Sequence, residues 1–196
     1  MGKAKTGRPS LTRTDWTDAA FGMFTAQGIA AVSVEALAKQ LGATRGSFYW
    51  HFKDRADLIT AVLEKWRAMT FDVVQELYEI ADPNQRLRAL LSMSFEDETW
   101  ARRELDLLAN TSDPHIGQAV ERHTGERLDF IQHCLTEIGH PNRQAHIQAR
   151  QSWALWIGAA RLVASMPDLI PGETTRDKLL SLTQPILATM LEQRHS

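Results

Sequence analysis

Residues 33–58, SVEALAKQLGATRGSFYWHFKDRADL, divide into a helix, a tight turn, a second short helix and the cap of a third. Leu37, Leu41, Ala43 and Phe48 are the apolar set that two crossing helices bury, and Ala38 is the small residue that lets them approach. Gly42 ends the first helix where the backbone must turn left-handed, a conformation glycine takes without steric cost. The second helix then presents Thr44, Arg45, Gly46, Ser47, Tyr49 and Trp50 outward. This is the pattern of a helix-turn-helix, whose second helix enters a DNA major groove.

On the N-terminal side, a first helix is expected to start near Thr12 or Thr14 and to end before Gly28. Trp16, Ala20, Met23 and Phe24 recur at i, i+4, i+7 and i+8, a core-facing stripe. Ahead of it, residues 1–10, MGKAKTGRPS, read as a flexible basic arm. Lys3, Lys5 and Arg8 would let that arm follow a DNA groove. Ser33 suits both an N-cap and a phosphate contact.

Within the second helix of the motif, Thr44, Arg45 and Ser47 are candidates for base edges and nearby phosphates. Gly46 costs roughly 1 kcal/mol of helix propensity relative to alanine, which suits a backbone that must approach a partner closely. Tyr49, Trp50 and His51 are candidates for phosphate and sugar contacts, with Trp50 also suited to a thymine methyl.

On the C-terminal side, Asp54 caps a long fourth helix with Asp57 in its first turn. Leu58, Val62, Trp66, Met69, Val73, Leu77 and Ile80 continue its apolar stripe, so it leaves the DNA-binding unit and can carry movement to the body. Further helices are expected over Pro83–Phe95 and around Trp100–Leu108, where Leu105 and Leu108 are the apolar positions. Another follows Asp113-Pro114 as far as Gly139, with Ile116, Val120, Leu128, Ile131 and Leu135 inward. The last two cover Asn142–Ser165 and Thr174–Gln193, the latter kinked at Pro185. In the first of these, Ile147, Trp153, Trp156, Ile157, Ala160 and Val163 make the apolar set. No segment alternates like a strand. The fold class is all-α with about nine helices. A basic arm (1–10) precedes a three-helix DNA-binding domain (11–53), and a helical domain (54–196) follows.

Composition agrees with that division. Residues 1–53 hold seven Lys and Arg against three acids, a net +4, which leaves −6 for the rest of a chain whose net charge is −2. A basic module on an acidic body suits a nucleic-acid reader with a separate second domain. Cys134 is the sole cysteine, which rules out an internal disulfide and fits a reducing cytoplasm. No N-terminal stretch resembles a signal peptide, and the apolar run from Trp153 to Ala160 is too short to span a bilayer, so a cytoplasmic protein is expected.

There is no glycine-rich phosphate loop, nucleophile elbow or thiolate cluster, so no catalytic residue, metal site or cofactor is assigned and the chain reads as a non-enzyme. Of the histidines, His115, His123, His133, His140 and His146, only His123 shows a short-range helical pairing, with Glu126.

The run VEALAKQLGATRGSFYWHFKDRADLI, with Gly46, Phe48, Tyr49, Trp50, His51 and Phe52, resembles the DNA-binding signature of the TetR family of transcriptional regulators. The resemblance covers roughly Trp16 to Leu63; beyond it only the helix layout is similar. Arg55 stands where the family usually has lysine for a phosphate contact, and Lys53 is placed to share that role.

The resemblance implies a homodimer that reads a palindromic operator. It also implies that the last two helices of each subunit pack as a four-helix bundle, with Ala154, Gly158, Ala159 and Ala160 allowing close approach. It further implies a small-molecule effector in the body, for which Trp66, Trp100, Arg150, Trp153 and Trp156 are the candidate contacts. The expected function is that of a ligand-responsive repressor. The alternative is an architectural or regulatory DNA-binding protein without a ligand.

Overall fold

The computed structural model describes residues 11–96 and 98–191. The expected basic arm, and the last residues of the final helix beyond Leu191, lie outside the described residues. The chain divides into two compact units, one up to Lys65 and one from Trp66.

In the first unit, α1 (Arg13–Gln27) starts at a capping box. The Thr12 hydroxyl accepts from the Asp15 N–H while the Asp15 carboxylate takes the Thr12 N–H, which satisfies two orphan donors of the first turn. A 3-10 turn (Ile29–Ala31) leads to α2 (Val34–Leu41), capped by Ser33. Gly42 closes α2 at φ 61°, its N–H directed to the Ala38 and Lys39 carbonyls. The short α3 (Arg45–Phe48) follows, and α4 (Arg55–Tyr78) begins after a turn.

Trp16, Phe48 and Phe52 form the aromatic centre of this unit. Trp16 meets Phe48 edge-on at 5.4 Å, and Phe48 stacks on Phe52 at 5.2 Å. Ala20, Phe24, Leu37, Ala38, Leu58 and Val62 complete it. The first-helix stripe is buried as expected; of the helix-turn-helix set Leu37 and Phe48 are buried, and Leu41 and Ala43 are half-buried.

The second unit holds the C-terminal part of α4 and five further helices: α5 (Pro83–Glu96), α6 (Glu98–Ala109), α7 (Pro114–Ile138), α8 (Asn142–Ser165) and α9 (Thr175–Leu191). Among the described residues these make nine α-helices and no strand. Asp113 caps α7 and Pro114 opens it; Gly139 closes it. One core joins Leu77, Leu87, Leu90, Phe130, Cys134 and Ile138. Another joins Ala101, Trp156, Ala159, Ala160, Val163 and Leu179.

Four apolar stripes drift from the expected register. On α4 the buried line passes from Trp66 to Thr70, whose hydroxyl donates to the Trp66 carbonyl, and Met69 is left 48% exposed. On α6, Glu104 and Leu107 are buried while Leu105 and Leu108 are half-buried. On α7, His123 and Arg127 hold inward positions and Leu128 and Ile131 only flank them. On α8, Ile147 faces solvent; Ala159 and Ala160 pack inside the monomer, while Ala154 and Gly158 point outward. On α6 and α7 the inward polar groups lie against one another, Arg127 within 3.1 Å of His123 and 3.7 Å of Glu104, a proximity that hydropathy does not register.

Candidate nucleic-acid interface and the interior polar cluster

The face of the helix-turn-helix is built from the caps of α2 and α3. Ser33 accepts from the Ala36 N–H at 3.3 Å, which leaves its own hydroxyl proton free to donate. Thr44 caps α3 by accepting from the Ser47 N–H at 3.2 Å, and the Ser47 hydroxyl returns a bond to the Thr44 carbonyl at 2.8 Å. Ser47 is thus half-buried and engaged locally.

Arg45 is exposed and pairs with Glu35 of α2 at 3.1 Å, both side chains more than half open to water. Such a pair contributes little to stability and competes weakly with a phosphate or base. Trp50 is 87% exposed and Tyr49 54%, although Phe48 beside them is fully buried. An exposed indole next to an aromatic core is a surface built for contact rather than packing. A Cβ placed on Gly46 would meet only Thr44 Oγ1, at 3.7 Å, so nothing inside the chain requires glycine there.

Three residues near the start of α4 play different parts. Lys53 is exposed, and its backbone N–H donates to Asp57 at 3.0 Å. His51 is half-exposed, and its carbonyl accepts from Arg13. Arg55 is exposed, but its guanidinium folds back onto the connector. Its Nε donates to the Val32 carbonyl at 2.6 Å and its Nη2 to the Ile29 carbonyl at 3.0 Å, bracing the connector ahead of α2. The planar fork reaches two carbonyls at once, a geometry lysine lacks.

Arg13 was not singled out in the sequence, yet it ties this face together. Its guanidinium pairs with Asp57 at 2.8 Å and lies 4.1 Å from the centre of the Phe52 ring. The bond from Arg13, with the Lys53 N–H, holds the Asp57 carboxyl below the ordinary value of 3.8. The sequence signal was a basic residue in the first turn of α1, where the helix dipole disfavours it unless an acid is near.

The body's candidate ligand residues do not all meet. Trp153 and Trp156 stack at 5.3 Å, and the Arg127 guanidinium lies 4.5 Å from Trp153, 5.4 Å from Trp100 and 6.0 Å from Trp156. Trp66 packs on the His123 ring at 3.9 Å. Arg150 stands apart, exposed and bonded to the His146 carbonyl at 3.1 Å.

At the centre are three residues that the sequence reading did not assign to the ligand site. Arg127 Nη2 reaches His123 Nε2 at 3.1 Å, and Arg127 Nη1 lies 3.7 Å from Glu104 Oε2. Burial together with the nearby Arg127 and Arg67 cations pushes the His123 pKa down to about 3, so the ring is neutral and its Nε2 accepts. Burial raises the Glu104 pKa against the pull of Arg127. A groove of about 500 Å³ between α4 and α7 has His123 and Arg127 in its wall, with Phe71, Val74, Tyr78 and Phe130 as its apolar lining. The spacing signal for this cluster was present as His123 and Arg127, one turn apart on α7.

His133 and Glu137 form an i, i+4 pair at 3.5 Å, so the His123–Glu126 pairing is not the sole one at helical spacing. Glu126 is engaged by Arg67 at 2.9 Å. Among the described residues no three His, Cys, Asp or Glu side chains are grouped as a metal site would require.

The model of the bacterial regulatory proteins of the tetR family matches residues 17–62. The regulator AcrR of Shigella flexneri is 43% identical over 53 residues, 27% of this chain and 25% of that protein. The chain spans between 25% and 47% of the length of the first curated relatives it matches. Two solved structures share the fold. SCO4454, a TetR-family regulator from Streptomyces coelicolor, has a TM-score of 0.74 at 21% identity, covering 92% of this chain and 96% of that one. FadR from Bacillus subtilis, solved in complex with stearoyl-CoA, has a TM-score of 0.64 at 20% identity, covering 92% and 98%. The matched residues 17–62 are those that build the helix-turn-helix face, and over that stretch the chain matches the tetR family of bacterial regulatory proteins.

Proposed function

We propose that the protein is a homodimeric repressor that binds a palindromic operator and is released by a small molecule. The observation that carries the reading is the outward face of α3. It combines an unpacked Gly46, a weakly held Arg45 and two exposed aromatics over a rigid core. Thr44, Arg45 and Gly46 meet base edges and the groove floor; Tyr49, Trp50, His51 and Lys53 meet the sugar–phosphate wall. Ser33 offers a hydroxyl proton and Ser47 an acceptor oxygen at the edges, and Arg55 braces the connector behind the reading head.

The line Ala154, Gly158 and Leu162 on α8 is exposed, and no heavy atom lies within 4 Å of a Cβ built on Gly158. A small, partly apolar helix face of this kind supports packing against a second copy. The groove between α4 and α7 supports a ligand rather than a purely architectural protein. FadR of Bacillus subtilis was solved with stearoyl-CoA, so a bound small molecule has a precedent on this fold. A ligand that binds one pose of α4 better than another would shift the spacing of the two reading heads.

The test is a footprint on the chain's own upstream DNA, with Trp50→Ala beside the parent protein. Protection of a palindrome that disappears in the variant, with unchanged thermal stability, is the expected result. Equal affinity for upstream and random DNA at moderate salt would sink the proposal.

A further inference from the structure

Glu104 is fully buried, and neither of its carboxylate oxygens has a hydrogen-bond partner. Its nearest cation, Arg127, comes no closer than 3.7 Å and spends its hydrogen bond on His123 instead. Around the same guanidinium, the indole N–H groups of Trp100 and Trp156 are buried and lack acceptors. Unmet acceptors and unmet donors thus share one interior site between α6, α7 and α8. Leaving a buried polar group unbonded costs on the order of 1–3 kcal/mol, and more for a charge, so this concentration calls for a partner.

The site specifies that partner's chemistry. Glu104 and Arg127 balance in charge and His123 is neutral, so a ligand with net charge would enter a buried site with no counter-ion left to offset it. The open valences are of both kinds, so the ligand must donate and accept. The neighbours are flat: Trp153 and Trp156 lie within 15° of parallel, and Arg127 sits over the first of them. The α4–α7 groove, whose wall includes Arg127, supplies apolar room for the remainder of a ring system.

We propose that this interior is the seat of an uncharged, planar ligand with adjoining N–H and C=O groups, a lactam, cyclic imide or ureide. Its N–H donates to Glu104, and its carbonyl accepts from Arg127 or from the indole N–H of Trp100 or Trp156. Arg127 is the shared element, belonging to the groove wall and lying beside Glu104. The proposal names the effector class for the ligand-responsive reading above and rests on it only for the consequence at DNA, not for binding itself.

A matched set of bicyclic probes tests it on the full chain by calorimetry and thermal shift. The probes are 2-quinolone, N-methyl-2-quinolone, the N-methylquinolinium cation and quinoline-2-carboxylate. The expected order is binding by 2-quinolone, at least about tenfold weakening on N-methylation, and no shift with either charged probe. Trp100→Phe keeps the ring and removes one N–H, so it should weaken 2-quinolone by roughly three- to tenfold while preserving the free protein's melting temperature. Glu104→Gln, if it folds, should lose most of the preference for the N–H form.

Tighter binding of the cation or the carboxylate overturns the proposal. So does failure of 2-quinolone, phthalimide and uracil all to bind at millimolar concentration. A crystal structure in which ordered waters bond Glu104 and stay in place with 2-quinolone present does the same. Binding of 2-quinolone without any change in the operator footprint leaves the site standing and overturns the ligand-released repressor instead.

Discussion

Arg13 Nη2 lies 2.8 Å from Asp57 Oδ1, although 44 residues separate them in the chain. The pair joins the first turn of α1 to the first turn of α4, and Asp57 also takes the Lys53 N–H at 3.0 Å. Together with Lys65 and Asp18, 2.6 Å apart, it frames the reading head with charged contacts outside its aromatic core. Asp57→Asn should lower stability by about 1 kcal/mol after allowance for the solvent that reaches both side chains. The sign with pH follows from the depressed carboxyl. Its contribution is fully present above the ordinary value of 3.8 and is lost as pH falls through the lower folded pKa. Urea unfolding of parent and variant at neutral pH and near pH 3 measures both the offset and its disappearance.

Gly46 has room for a methyl group inside the folded chain. Gly46→Ala should raise stability by up to about 1 kcal/mol through helix propensity. The same methyl should weaken operator binding by an order of magnitude or more, because in the proposed interface it stands where the backbone approaches the groove. Opposite signs in a melting curve and a binding titration are the expected outcome. A stabilised variant with parental DNA affinity would remove α3 from the interface.

Glu35 holds Arg45 in the free protein. Glu35→Gln releases the guanidinium and removes a negative charge from the face proposed to meet DNA. Stability should change by less than about 0.5 kcal/mol, since the pair is open to water. Operator affinity should rise a few-fold, most visibly at low salt. Arg45→Ala should do the reverse and relax selectivity at one base pair of each half-site.

His123 titrates at about 3 when folded and near 6.5 when unfolded. The unfolded chain then binds more protons below pH 6.5, so this residue's contribution is present above that value and drains away as pH falls towards 3. Glu104, raised by burial, acts in the opposite direction; its contribution is lost as pH rises through its folded pKa. Comparing the parent with His123→Gln cancels the shared Glu104 effect. The parent should lose stability faster than the variant between pH 6.5 and 4, whatever their offset at neutral pH.

The reading head was legible because its signals are local. Thr12, Ser33, Thr44 and Gly42 announce helix ends through their own chemistry, and Trp16, Phe48 and Phe52 are unambiguous core residues. Arg55 was not legible: its partners are carbonyls 23 and 26 residues upstream, which carry no side-chain signature. The interior of the body was harder still. Glu104 of α6 sits inside facing His123 and Arg127 of α7, so periodicity within either helix alone puts leucines in their place. Trp100, Trp153 and Trp156 were recognisable as aromatic neighbours, whereas the cation that gathers them was not.

Cys134, the chain's lone thiol, lies wholly within the core beside Leu87 and Phe130, and burial pushes its pKa up. It is closed to aqueous reagents while the fold persists. One cysteine introduced at the exposed Trp50 position would then be the sole handle for a spin label or dye, with no native residue to remove first. In an assembled dimer such a label appears twice, so the distance between the two heads becomes directly measurable, with and without a candidate effector.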